Sequence, residues 1–236
     1  AEVMMNEPEF LRSESVLAMF SRQGAKVVAI TAKDKLRRQL GRNLDFAGGS
    51  INFSSEKADE GTLDENGIEN VLDLVGLPLP DVYSAELTLF VFEAAARILE
   101  RDSPDIMYLS TTDYIQHMYA PGSPEISDLY AKLDSAFGRL VALGAVIAIT
   151  ADHGMNDKAK PNGAPNVIFL QDELDRQFGE RTTRVILPIT DPYVVHHGSL
   201  GGFVRVYCYD GTTPDEVMRF AERLPGIEAV FDKESA

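Results

Sequence analysis

The 236 residues are 44% hydrophobic and 25% charged, the balance of a chain that buries a core, which argues against the disordered and membrane classes. A formal net charge of −15 argues against nucleic acid as the main partner, because binding along a phosphate backbone needs a basic face. An anionic small substrate would instead need local positive charge, from metal ions or a few placed lysines.

No apolar run approaches the roughly 18 residues that a membrane span requires, and the first residues show no basic patch followed by an apolar block. Neither a membrane partner nor export is therefore expected. The single cysteine, Cys208, cannot close an internal disulfide, which points to a reducing, cytoplasmic compartment. The opening "AEVMMNEPEF" and the closing "IEAVFDKESA" read as the ends of a fragment.

In chain order, "SVLAMFSRQG" (Ser15 to Gly24) has helical spacing and a glycine stop, and "KVVAIT" (Lys26 to Thr31) is a buried-strand run. Gly48 to Gly67, rich in Gly, Ser, Asn and charge, reads as an exposed excursion. "DVYSAELTLFVFEAAARILE" (Asp81 to Glu100) is a long helix with apolar residues on most faces, followed by the strand "DIMYLS" (Asp105 to Ser110). "SDLYAKLDSAFGRLVALG" (Ser127 to Gly144) and "AVIAIT" (Ala145 to Thr150) repeat the unit. Three helix–strand units in series predict a doubly wound α/β core with a parallel sheet over residues 1–164. After Pro165 come the short strands "NVIFL", "RVILPI" and "FVRVYCY" and one helix opened by "TPDEVMRF". Residues 165–236 are accordingly expected to be a smaller α+β insertion.

Each of the three core strands ends on residues that can do chemistry: Lys33 and Lys35 in "AKDK", Asp113 and His117 in "TTDYIQH", Asp152 and His153 in "ADHG". Loops at the carboxyl ends of parallel strands converge on one crevice. Asp113 and His117 share a face if their segment is helical and could then chelate one ion; the alternative is an ordinary i,i+4 surface pair. Asp152 and His153 diverge on an extended backbone but on a turn could face two neighbouring ions; the alternative is a helix-capping Asp beside a packed His. Mixed imidazole and carboxylate ligands suit zinc, ahead of manganese or iron. Lys33 and Lys35, two apart on an extended segment, would point to one side and clamp a compact anion; otherwise they open a solvated helix.

These segments resemble the metal-ligand motifs of the alkaline phosphatase superfamily, in its phosphodiesterase/nucleotide pyrophosphatase branch. Within that branch, "VMMNEPEF", "AITAKDKLRRQLG" and "DPYVVHHGSLGGF" are similar to the members that hydrolyse phosphonoacetate. The resemblance implies an alkaline phosphatase-like α/β core with a smaller α+β cap insertion. It implies a two-zinc site that splits a carbon–phosphorus bond into acetate and phosphate. Asp113 and His117 would hold one zinc and Asp152 and His153 the other, while Lys33, Lys35 and His117 would contact the anionic phosphonate. The family's first ligand aspartate and nucleophilic threonine lie before "AEVMMNEPEF", and its last ligand histidine lies after "DKESA". Thr31, Thr111, Thr112 and Thr150 do not follow the nucleophile motif, so no catalytic nucleophile is assigned. His196 and His197 are read as structural residues of the insertion. This chain alone is therefore expected to fold but not to catalyse. Homodimerisation is left open. The rival readings are a phosphodiesterase or phosphomonoesterase of the same superfamily, and a non-catalytic doubly wound binding domain.

Overall fold

The computed structural model describes residues 10–157, 159–186, 202–209 and 211–236. The chain divides into two compact units, with the boundary between Met155 and Asn156.

The first unit is built on three strands: β1 (Val27–Thr31), β2 (Ile51–Ser54) and β3 (Ile106–Ser110). They form a parallel sheet in the order β2-β1-β3. Thr31 stands opposite both Ser54 and Ser110, so the three carboxyl ends are level and the loops leaving them start from one edge.

Every residue of β1 is buried, as expected of a central parallel strand covered on both faces. Its alternation divides the core. Val28 and Ile30 pack with Phe53 and with Leu87, Phe90, Val91 and Ile98 of a long helix. Val27 and Ala29 pack on the other face with Leu17 and Leu44. Burying each of the Val, Leu, Ile and Phe side chains among them stabilises the fold by about 1.5–3 kcal/mol relative to exposure.

Helix α1 (Val16–Arg22) is capped by the Ser15 side chain, which accepts from the Ala18 N–H. Helix α2 (Asp34–Leu40) follows β1. After β2 come a 3-10 segment (Ser55–Glu60), α3 (Leu63–Asn66) and α4 (Val71–Val75). The long helix α5 (Ala85–Asp102) lies where the sequence places it and leads into β3. Helix α6 (Tyr114–Met118) is a single short turn, and α7 (Pro124–Ala142) starts at the Ser123 cap and ends near Gly144, at φ +93°. Phe92 of α5 and Phe137 of α7 meet edge-on with ring centroids 5.1 Å apart, fixing the two helices together.

Two expectations fail in this unit. The stretch from Gly48 to Gly67 is not an exposed excursion, because it contains β2, whose four residues are all buried. Several of its polar groups find partners inside. Asn52 Nδ2 donates to the Arg37 carbonyl at 3.0 Å, Asn66 Nδ2 donates to the Asn52 carbonyl at 2.8 Å, and the Ser50 hydroxyl accepts from the Val27 N–H at 3.3 Å. Gly67 is required there: at φ +68°, a Cβ would lie 2.1 Å from the Ser50 carbonyl oxygen. The second failure is "AVIAIT", which carries no strand ladder. Ala145 and Ile147 pack on the core while Val146 is fully exposed and Ile149 is 72% exposed. An alternating apolar run settles which positions are buried, but it does not supply a hydrogen-bonding neighbour.

The second unit pairs β4 (Thr183–Ile186) antiparallel with β5 (Arg205–Cys208). Helices α8 (Leu170–Phe178) and α9 (Pro214–Ala221) share a small core in which Leu170, Leu174 and Val217 are buried. Helix α9 is the one announced by "TPDEVMRF", and Thr213 and Glu216 form its capping box. Helix α8 was not expected. "NVIFL" forms no strand, and Leu170 instead opens a helix whose apolar residues Leu170, Leu174 and Phe178 recur every fourth position.

Candidate metal centre

Two loops of the first unit bring three ligand-type side chains together. Asp113 follows the end of β3 at the N-cap of α6, and the His117 N–H closes the turn on its carbonyl at 3.0 Å. One helical turn places His117 over Asp113, with Nε2 2.9 Å from Oδ2. His153, in the loop after residues 145–150, brings its own Nε2 to 3.6 Å from the same carboxylate oxygen. The two imidazole centroids are 5.9 Å apart.

The carboxylate is held by its loop. Ser110 is hydrogen-bonded through its carbonyl to the Ala32 N–H, continuing the β1–β3 pairing past the strand end. Thr88, buried on α5, binds the backbone of Thr112: its hydroxyl donates to the carbonyl at 3.2 Å and accepts from the N–H at 3.3 Å. Nothing in the sequence singles out Thr88 beyond a hydroxyl on an otherwise apolar helix face.

The electrostatics favour a cation between these groups. His153 Nδ1 lies 2.9 Å from the Gly154 carbonyl, which can only accept, so the proton sits on Nδ1 and Nε2 faces Asp113. A neutral imidazole would then set a lone pair against a carboxylate oxygen. The Gly154 hydrogen bond, against a downward pull from burial and with the charges of Asp152 and Asp113, holds the His153 pKa above its ordinary value of 6.5. A proton or a metal ion relieves the same repulsion.

One donor atom from each of Asp113, His117 and His153 lies within 4.8 Å of the others. Zinc bonds of about 2.0–2.1 Å in a tetrahedral set put neighbouring ligand atoms about 3.3–3.5 Å apart. The separations of 2.9 and 3.6 Å from the Asp113 oxygen bracket that range, and with all three donor atoms within 4.8 Å of one another the chemistry of the set suits such an ion.

Asp152 stands apart from this trio. Its side chain is 91% exposed, its Oδ1 accepts from the His153 N–H at 3.1 Å, and it lies 3.9 Å from His153 Nε2. Lys33 and Lys35 are not on a common extended segment. β1 ends at Thr31 and α2 begins at Asp34, so Lys33 caps the helix while Lys35 lies exposed in its first turn. Lys33 Nζ donates to the Val82 carbonyl at 3.3 Å and lies 5.1 Å from the Tyr83 ring centroid. Tyr83 packs in turn on Tyr114, the residue after Asp113. Thr31 is buried and spends its hydroxyl on the Lys33 carbonyl at 2.8 Å. His196 and His197 lie outside the described residues.

Residues 7–235 match the family model described as type I phosphodiesterase / nucleotide pyrophosphatase. Phosphonoacetate hydrolase from Sinorhizobium meliloti 1021, solved in complex with phosphonoformate and in complex with phosphonoacetate, is 50% identical with a TM-score of 0.80 in both structures. The match covers 99% of this chain and 57% of each solved chain. The parallel sheet flanked by helices is an alkaline phosphatase-like fold. The chain belongs to the type I phosphodiesterase / nucleotide pyrophosphatase family.

Proposed function

We propose that the whole protein to which this chain corresponds hydrolyses the carbon–phosphorus bond of phosphonoacetate, giving acetate and phosphate. The observation that carries this reading is the 50% identity, across 99% of the chain, to an enzyme solved with phosphonoacetate bound. The cluster of Asp113, His117 and His153 supports it independently, since a divalent metal is the cation these donors suit.

Zinc is the ion we assign, two per complete site, with Asp113, His117 and His153 gathered at one position and Asp152 beside them as a ligand toward the second. When bound, zinc supplies the positive charge that lowers the pKa of an attacking hydroxyl and offsets the charge of the phosphonate. The chain's own residues do the rest. Gly154 keeps the proton on His153 Nδ1, so Nε2 is the donor presented. Lys33 is held by a carbonyl and a ring face, partners that orient an ammonium without neutralising it. That leaves its charge for the substrate carboxylate, which must take up electron density as an enolate when the carbon–phosphorus bond breaks. Lys35 is the second cation of the grip, and His117 adds a contact to the phosphonate.

The second compact unit is read as part of an α+β cap insertion, and the substrate as a small anion with no nucleic-acid or membrane partner. No described helix is long and apolar enough to cross a membrane. The lone Cys208 favours a cytoplasmic protein.

The test is product analysis by phosphorus NMR on the zinc-loaded whole protein, with phosphonoacetate, an aryl phosphate monoester and a phosphodiester as parallel substrates. Release of inorganic phosphate from phosphonoacetate, lost in Asp113→Ala, is expected. Turnover of only the monoester or diester would replace this reading with an esterase of the same family.

A further inference from the structure

Thr88 lies on α5, a helix whose neighbouring residues Leu87, Phe90 and Val91 are committed to the core. Thr88 is the fourth residue of α5, and a helical threonine commonly turns its hydroxyl back to the carbonyl one turn earlier. Thr88, 3% exposed, instead reaches across to another segment. Its single hydroxyl satisfies both the N–H and the carbonyl of Thr112, at 3.3 and 3.2 Å. Thr112 directly precedes Asp113, whose Oδ2 is the oxygen shared by His117 and His153.

Ladder pairing with β1 ends at Ser110, and α6 begins only at Tyr114. The backbone of Thr112 is thus tied by one side chain to the core-packed helix α5. A rotation of that peptide would carry the Asp113 carboxylate with it, and a ligand carboxylate displaced by a fraction of an ångström no longer matches the geometry of its partners.

We infer that Thr88 is a positioning residue for the metal centre: its hydroxyl, by clamping the Thr112 peptide, sets the orientation of Asp113 toward His117 and His153. The inference rests on the assignment of those three residues as metal ligands. Groups that orient ligands without touching the ion typically change affinity by about 10- to 100-fold when removed.

The experiment is a zinc competition titration against a chromophoric chelator, with thermal melting of the metal-free protein measured alongside. Thr88→Val keeps the side-chain shape and removes the hydroxyl; Thr88→Ser keeps the hydroxyl and removes the methyl. Zinc affinity should fall about tenfold or more in Thr88→Val and stay within about threefold of wild type in Thr88→Ser. Equal affinity in wild type and Thr88→Val overturns the inference. So does a loss in Thr88→Ser matching that in Thr88→Val, which would make the methyl packing responsible. Should Thr88→Val not fold, Thr88→Ala takes its place under the same criteria. Failure of the wild-type chain to bind zinc would instead reject the ligand assignment itself.

Discussion

Asp34 joins the start of α2 to the end of β2, beside the lysine proposed to grip the substrate. Its side chain is only 13% exposed and accepts from Arg37 Nε and from the Ser54 hydroxyl, while its N–H donates to Glu56 Oε2 at 2.8 Å. Asp34→Asn keeps the shape and an accepting oxygen but removes the charge. A hydrogen bond to a charged group contributes about 1.5–3 kcal/mol. With both partners mostly shielded from solvent screening, the expected loss is about 2 kcal/mol. In a protein of this size 1 kcal/mol moves the midpoint by about 2–4 °C, so Tm should fall by roughly 4–8 °C.

The pH dependence follows from the same contacts. Burial alone would raise the Asp34 pKa, but the hydrogen bond and charge of Arg37, with Ser54, outweigh it and hold the carboxyl below its ordinary 3.8. A depressed folded-state pKa contributes stability that is complete above the unfolded value and disappears as pH falls through the folded one. The Tm gap between wild type and Asp34→Asn should therefore be constant near neutrality and close below about pH 4. Thermal melts followed by circular dichroism across that range test this. No gap at neutral pH, or a gap that persists undiminished into strong acid, would refute the reasoning.

In the whole protein, Lys33→Ala should lower kcat/KM for phosphonoacetate by roughly 10- to 100-fold while affecting an aryl phosphate much less, because its partner is the substrate carboxylate. Lys35→Ala, at an exposed helical position, should show the same preference with a smaller loss; equal losses on both substrates reject the grip. Leu174→Ala, at a site with 0% exposure, should cost about 2–5 kcal/mol. Hydrogen exchange should then speed up in β4 and α8 but not in β1, since Leu174 packs within the second unit's own cluster.

The helices α1, α5 and α7 and the strands β1 and β3 were legible because period and punctuation agree: Ser15 caps α1, and Gly24 and Gly144 adopt positive φ just past the ends of α1 and α7. β2 was hidden because its interior is polar. Asn52 and Ser54 look like loop residues until Asn52 Nδ2 is seen to reach the Arg37 carbonyl and the Ser54 hydroxyl the Asp34 carboxylate. At the site, residue type and position at strand ends were enough to nominate Asp113, His117 and His153. How they group was not legible, since adjacent Asp152 and His153 take different directions only once the turn is known. The lysine geometry failed at one point, the helix start at Asp34. Thr88 left no trace, because its role is a hydrogen bond to a backbone 24 positions away in sequence.

The most direct test of the metal assignment is a crystal structure of this chain grown with zinc, with anomalous data collected at the zinc edge. The account predicts an anomalous peak about 2.0–2.2 Å from Asp113 Oδ2, His117 Nε2 and His153 Nε2 together. Density showing those three side chains ordered as described with no peak between them, or zinc held elsewhere on the chain, would contradict it.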